Sequence, residues 1–347
     1  MRDLTTDQLS VGIIGTGLWG EQHAHVFATL PQTRLAAVCD LDRDRAAALA
    51  GRHGVADAYA DHRELLGRAD IDAVAIATPD FTHTQLILDA LAAGKHVLTE
   101  KPLATTVEEA TAVRDAAAAS GRKVMVDFHN RVSPVVAAAR DDVAAGAIGR
   151  PVHASARLSN TLFVPLEMLT WSARSSALWF LGSHLIDALR FILDDEVTRV
   201  FAMKAEGVLK ARGVDTADVH LSMLEFAKGT IVTVENSWIL SPDNPNVFDL
   251  AIDLVGDAGQ IQMSPSHSGA YRSMGGQGLR YRDMFGVTPS GPGRVGGFVR
   301  ESIARFVDAV MLGAPLLATA EDGLRVTRIL AAIEDSAATG QPVEIAA

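Results

Sequence analysis

The sequence predicts an α/β protein in two parts: a doubly wound parallel sheet over residues 1–129, then an α+β domain with a largely antiparallel open sheet over residues 130–347. Three observations predict it. Short apolar runs alternate with helical stretches from Val11 to Phe128, a glycine-rich turn follows the first run, and after Asn130 the pattern changes to period-two alternation. A chain of 347 residues also has the length of about two domains.

The apolar runs of the first part are Val11-Gly12-Ile13-Ile14, Leu35 to Cys39, Ala73 to Ala77, His96-Val97-Leu98 and Lys123 to Val126. Between them, Leu86, Ile87, Ala90 and Leu91 recur at helical spacing and stop at Gly94, while Thr105-x-x-Glu108 is a capping-box signal for a further helix. In the second part, Val152, Ala154, Ala156 and Leu158 alternate with His153, Ser155, Arg157 and Ser159, as a half-buried strand requires. Two hairpins follow, Val219 to Phe226 with Thr230 to Trp238, and Phe248 to Val255 with Gln260 to Met263. Ser264 to Gly297 is rich in Gly, Ser and Pro and reads as a long loop, of the kind that often carries function. A helix with Ile303, Phe306, Val307 and Val310 on one face ends at Gly313-Ala314-Pro315, and a last helix runs from about Asp322 to Ala338.

Composition narrows the partners. Lys and Arg number 31 against 42 Asp and Glu, a net charge of −11, which argues against nucleic acid and membrane surfaces. Cys39 is the single cysteine, so no internal disulfide forms and a reducing, cytoplasmic location is expected. The polar stretch Met1 to Ser10 has no apolar signal core, and no apolar run is long enough to span a bilayer.

Gly15-Thr16-Gly17-Leu18-Trp19-Gly20 is a G-x-G-x-x-G turn between a strand and a helix. The first glycine permits the turn, the second admits a pyrophosphate, and the third lets helix pack on strand; the helix N-terminus offers its N–H groups to the phosphates. Asp40 ends the second run, 20 residues beyond Gly20, where a carboxylate accepts the ribose hydroxyls of an adenosine. This is the fingerprint of a Rossmann domain, and Asp40 favours NAD over NADP. Arg43, which could face a 2′-phosphate, is the argument for NADP.

Two further places carry chemistry. Thr99-Glu100-Lys101-Pro102 follows a strand at the carboxyl edge of the predicted sheet, where Pro102 stiffens the turn under Lys101; a surface lysine paired with Glu100 would leave the same string. Gly182-Ser183-His184-Leu185-Ile186-Asp187 opens an amphipathic helix. With Ser183 as N-cap, His184 would lie in the first turn, where the helix dipole favours the neutral imidazole a base needs. Asp187 could orient His184 or pair with Arg190.

These residues resemble the glucose–fructose oxidoreductase/inositol dehydrogenase (Gfo/Idh/MocA) family. The likeness is carried by the glycine loop, Ala77-Thr78-Pro79 with His83, the stretch from Ala93 to Pro102, Asn130-Arg131 with Pro134, the His184 helix and the closing Gly340-Gln341-Pro342-Val343. It spans nearly the whole chain, and the Glu-Lys-Pro loop joined to a downstream histidine helix is its specific part. The resemblance implies an NAD(P)-dependent dehydrogenase acting on a sugar, polyol or related alcohol, with Lys101 and His184 as catalytic pair and Thr78, Pro79, His83 and Glu100 on the nicotinamide side. It also implies a homodimer or homotetramer joined through the C-terminal sheet. One position departs: many relatives place an aspartate four residues before the histidine, and here Phe180 stands there, making that wall of the substrate site more apolar.

Asn160 and Trp179 are further candidates to face substrate, Trp179 as a stacking face for a sugar ring. Trp171 and Arg174 share that irregular stretch. No metal is expected: there is no H-E-x-x-H, and His23 and His25, two apart, diverge on a helix. No G-x-S-x-G elbow occurs. Two competing functions use the same implied fold, an NAD-dependent glycosidase that oxidises its substrate transiently and a dinucleotide-binding sensor without catalysis.

Overall fold

A computed structural model describes residues 8–267, 272–275, 278–281, 286–289 and 295–345. The chain forms two compact units, Met1–His129 with Gly286–Leu324, and Asn130–Phe285 with Arg325–Ala347. Residues 286–324 thus belong with the first unit, although the sequence reading places them with the second.

The first unit is built on β1 (Leu9–Ile14), β2 (Thr33–Cys39), β3 (Ala58–Tyr59), β4 (Ala73–Ile76), β5 (His96–Thr99) and β6 (Val124–Val126), ordered β3-β2-β1-β4-β5-β6. Every neighbouring pair is parallel. Helices α1 (Leu18–Thr29), α2 (Arg43–His53), α3 (His62–Leu66), α4 (His83–Ala92) and α5 (Val107–Ser120) make the crossovers. All six residues of β1 are buried, as a central strand covered on both faces must be. The strand order reverses between β1 and β4, so the loops leaving the carboxyl ends of these strands diverge and leave a crevice, the place where open α/β sheets bind ligands. The cap of α5 is Thr106, which accepts from the Glu109 N–H, one residue beyond the box expected from Thr105 and Glu108.

The second unit holds α6 (Pro134–Ala144), β7 (Pro151–Asn160), α7 (Ser183–Leu193), β8 (Val197–Ala205), β9 (Val219–Phe226), β10 (Ile231–Ser237), β11 (Phe248–Gly256) and β12 (Gln260–Met263). Both expected hairpins form, as β9–β10 and β11–β12. The sheet runs β12-β11-β7-β10-β9-β8, with Val343–Glu344 added at the β8 edge. All pairs are antiparallel except β7 with β10, so β7 sits in a mixed setting. One face is apolar and covered. The other leaves Phe201, Met203, Leu221, Met223 and Ile231 exposed, and register pairs Phe201 with Met223 and Met203 with Leu221.

Within Ser264–Gly297, the described residues include a 3-10 turn at Pro265–His267 and two short ladders, Arg272–Gly275 with Gly278–Tyr281 and Thr288–Pro289 with Val295–Gly296; residues 268–271, 276–277, 282–285 and 290–294 of that expected loop lie outside the described residues. Then α8 (Phe298–Met311) lays Val299, Ile303, Phe306 and Val307 into the core of the first unit with Ala24, Val26, Phe27 and Met125, and the chain returns beside β6 through Ala318 and Thr319 before α9 (Ala320–Thr339). Among the described residues no helix is long and apolar enough to cross a membrane. Phe306 is fully buried in this core, so Phe306→Ala is expected to destabilise the first unit by about 3–5 kcal/mol, measured by chemical denaturation.

Candidate active site

The glycine loop is shaped by close backbone approaches. Gly15 has φ +92°, and a Cβ there would stand 2.5 Å from the Ala77 carbonyl oxygen; a Cβ on Gly20 would fall 1.8 Å from that of Gly15. A Cβ on Gly17 would meet no protein atom within 4 Å, and no side chain caps α1, so the loop leaves room and N–H donors for a pyrophosphate. The residues present therefore fit a dinucleotide, which Gly15, Thr16, Gly17, Leu18, Trp19 and Gly20 would hold.

Asp40 latches this loop. Its Oδ2 accepts from the Thr16 N–H at 2.8 Å and from Thr16 Oγ1 at 2.9 Å; its Oδ1 accepts from the Asp42 N–H at 3.0 Å and from Arg45 Nη2 at 2.7 Å. Burial would raise the Asp40 pKa, but Arg45 and these donors outweigh it and lower it below the ordinary carboxylate value. The guanidinium on Asp40 is thus that of Arg45, while Arg43 is exposed at the start of α2. Trp19 stacks on His129, ring centroids 5.5 Å apart, and Phe298 lies on that histidine's ring at 5.6 Å.

His83 joins two loops. Its ring nitrogens lie 2.7 Å from the Pro102 carbonyl and 3.0 Å from the Thr78 carbonyl, and the residue is buried. It therefore fastens the Thr78-Pro79 turn to the Lys101-Pro102 turn. Lys101 is 5% exposed, which removes the surface-lysine alternative. Burial lowers the Lys101 pKa, and the charges of Glu100, Asp80 and Asp127 oppose that shift.

Glu100 reaches inward. Its Oε1 is 3.0 Å from His23 Nε2, and the same nitrogen is 3.5 Å from Asp127 Oδ2. Ser302 of α8 donates to Asp127 Oδ1, and His129 Nδ1 is 3.8 Å from Oδ2. Burial would lower the His23 pKa, but Asp127 and Glu100 outweigh it and raise it to about 9. Asp127, despite burial, is held well below the usual carboxylate range by His129 and His23. The sequence reading paired His23 only with His25 and missed this cluster. Its signal was there: His23 shares a buried helix face with Gly20, Ala24 and Phe27, and Asp127 directly follows the last parallel strand.

In the second unit, His184 is 8% exposed on α7. The expected Ser183 cap is corrected: Leu178–Gly182 form a π-helical turn running straight into α7, and both Gly182 and Ser183 are helical, with φ −59° and −54°. His184 therefore lies inside a continuous helical segment, and the dipole argument for its neutrality lapses. Asp187 pairs with Arg131, which donates from Nε at 2.8 Å and from Nη2 at 2.6 Å; the expected Arg190 also lies beside it, Nη1 3.6 Å from Asp187 Oδ1, while donating to Glu196. Phe180 packs against Trp171 and Trp238 at 6.1 and 5.9 Å between ring centroids. Asn160 is buried at the end of β7. Trp179 lines a cleft of about 300 Å³ with Arg174, Lys204, His220 and Glu334, and neither His184 nor Asn160 is among the residues lining it.

A parallel sheet with a phosphate-ready glycine turn and an acid at the end of β2 defines a dinucleotide-binding Rossmann domain. Residues 9–128 match the oxidoreductase family described as having an NAD-binding Rossmann fold, and residues 136–262 match the GFO/IDH/MocA C-terminal domain. The chain belongs to the Gfo/Idh/MocA family of NAD-binding oxidoreductases. Inositol 2-dehydrogenase 1 of Saccharopolyspora erythraea is 30% identical over 343 residues, 96% of each chain. D-glucoside 3-dehydrogenase of Escherichia coli is 27% identical over 99% of each. The crystal structure of GenD2 from gentamicin A biosynthesis, in complex with NAD, superposes with a TM-score of 0.87 at 25% identity, covering 99% of this chain and 97% of that one.

Because the His23 pKa lies above its ordinary value of 6.5, its ion pairs stabilise the fold fully below that pH and fade as pH rises through about 9. Urea denaturation of the wild type and of His23→Gln is expected to show a stability gap at about pH 6 that narrows by about pH 10.

Proposed function

We propose that this chain oxidises a secondary alcohol of a polyol or sugar, with the first unit holding NAD and the second, residues 130–285 and 325–347, supplying the substrate site and the subunit contacts. Bound nicotinamide supplies the carbon that accepts the hydride. The imidazole of His184 takes the alcohol proton, and the Lys101 ammonium donates a hydrogen bond to the same oxygen, stabilising the alkoxide as it develops. Thr78, Pro79, His83 and Glu100 line the nicotinamide side; Asn160 contacts substrate hydroxyls, and Phe180 makes that wall of the substrate site more apolar.

The observation that carries this reading is the buried Lys101 at the carboxyl edge of an NAD-binding sheet, its pKa lowered by burial against the opposing charges of Glu100, Asp80 and Asp127. The relatives point to the substrate class, since they are named as dehydrogenases of inositol and of D-glucosides. Subunits join through the exposed row Phe201, Met203, Leu221 and Met223, giving a homodimer or homotetramer, and the lone, buried Cys39 suits the cytoplasm.

NADH formation with a panel of inositols and glucosides is the direct test. Lys101→Ala and His184→Ala are each expected to lower kcat by roughly 10²–10⁴-fold while NAD affinity stays within a few-fold. The alkaline limb of the wild-type kcat profile is expected below the ordinary lysine value of 10.5. NAD binding without any NADH across the panel would overturn the dehydrogenase reading, and free sugar without NADH would mark a glycosidase. Met203→Glu with Leu221→Glu is expected to split the oligomer, measured by light scattering after size-exclusion chromatography.

A further inference from the structure

The cluster behind Lys101 has a composition that sealing alone does not explain. Three ionisable side chains, His23 from α1, Glu100 after β5 and Asp127 after β6, meet with side-chain exposures of 0, 6 and 0%. A fully buried histidine at this point of α1 is expensive; an apolar residue of its size would pack there without desolvating charge. Its Nε2 is within 3.0 and 3.5 Å of two carboxylates at once, so a single N–H faces both anions.

We propose that His23 is a positioning residue of the reaction: shared between Glu100 and Asp127, its imidazolium holds both carboxylates in place and moderates the negative field that they exert on Lys101. The inference rests on the dehydrogenase reading for its purpose, but the charge coupling stands by itself. The groups involved can be named from each element. His23 faces Glu100 and Asp127; Asp127 also faces His129 and the Ser302 hydroxyl; Lys101 feels Glu100, Asp80 and Asp127. Two cations, Lys101 and His23, thus stand against Glu100 and Asp127. With His23 charged, part of the field of Glu100 is spent on it. Without that cation, above neutral pH, both carboxylates act on the Lys101 ammonium undiminished, and the amine holds its proton more tightly. Removing Glu100 should do the reverse.

The test reads the Lys101 amine directly. Reductive methylation of the full-length protein across pH, with Lys101 quantified by mass spectrometry, yields its pKa in the wild type, His23→Gln and Glu100→Gln. Circular dichroism checks folding. His23→Gln is expected to move the Lys101 pKa up by about 1 unit and Glu100→Gln to move it down by a similar amount. Where turnover is measurable, the alkaline limb of kcat follows with the same signs and kcat falls in His23→Gln, whereas KM and NAD affinity hold. A Lys101 pKa unmoved in His23→Gln, or moved in the same direction by both variants, overturns the proposal. If His23→Gln does not fold, NMR of ¹³C-labelled histidine decides on the wild type and Glu100→Gln: an imidazolium that persists to about pH 8 in the first and loses its proton earlier in the second supports the clamp, and a ring titrating near 6.5 in the wild type sinks it. Failure of the dehydrogenase reading appears elsewhere, as a wild type without NADH formation, and leaves these charge measurements standing.

Discussion

Taking an ammonium out of water is the constraint around which the first unit is organised. Lys101 is almost wholly buried, and a buried cation persists only where fixed anions replace its lost hydration. The anions come from the ends of parallel strands and the turn after β4, and they would repel one another without a second cation among them. The fold places His23 there by bringing α1 across the same strands whose loops carry Glu100 and Asp127. α8 contributes Ser302, so a helix residue 175 positions from Asp127 in sequence closes the arrangement.

Much of this architecture was legible in the sequence because buried parallel strands leave an unambiguous trace. Val11 to Ile14, Ala73 to Ala77 and Lys123 to Val126 are nearly continuous apolar runs, since both faces of each strand are covered. The hairpins of the second unit were equally readable from alternation and turn residues. What pattern could not supply was allegiance. The apolar face of α8, with Ile303 and Phe306, says that the helix packs on something, and only the folded chain shows that this is the core containing Phe27 and Met125. The same limit hid the strand Val197–Ala205, whose exposed Phe201 and Met203 blur the alternation that would have announced it.

Site residues divided along similar lines. Gly15, Gly20 and Asp40 announced themselves through spacing, because turn geometry and strand ends are local properties, whereas Lys101 was singled out by the family resemblance and its burial only by the folded chain. Partnerships were not local. Glu100 was read beside its neighbour Lys101, yet its carboxylate meets a ring 77 positions away; Asp187 was read against His184 and Arg190, and Arg190 does reach it at 3.6 Å, but its closer, bidentate partner is Arg131, 56 positions away. Ser183 shows a different failure: a serine before an amphipathic run looks like a cap, but the π-helical turn ahead of it already continues the helix.

Asp40 has a bearing on how readily the coenzyme preference of this protein could drift. A carboxylate that only read ribose hydroxyls could be exchanged for a smaller neutral residue, opening space for a phosphorylated ribose. Here the two carboxylate oxygens of Asp40 tie down Thr16, the first variable position of the glycine turn, and engage Arg45. Any exchange of that acid would release Thr16 from both bonds, so the end of β2 and the glycine turn change together rather than one at a time.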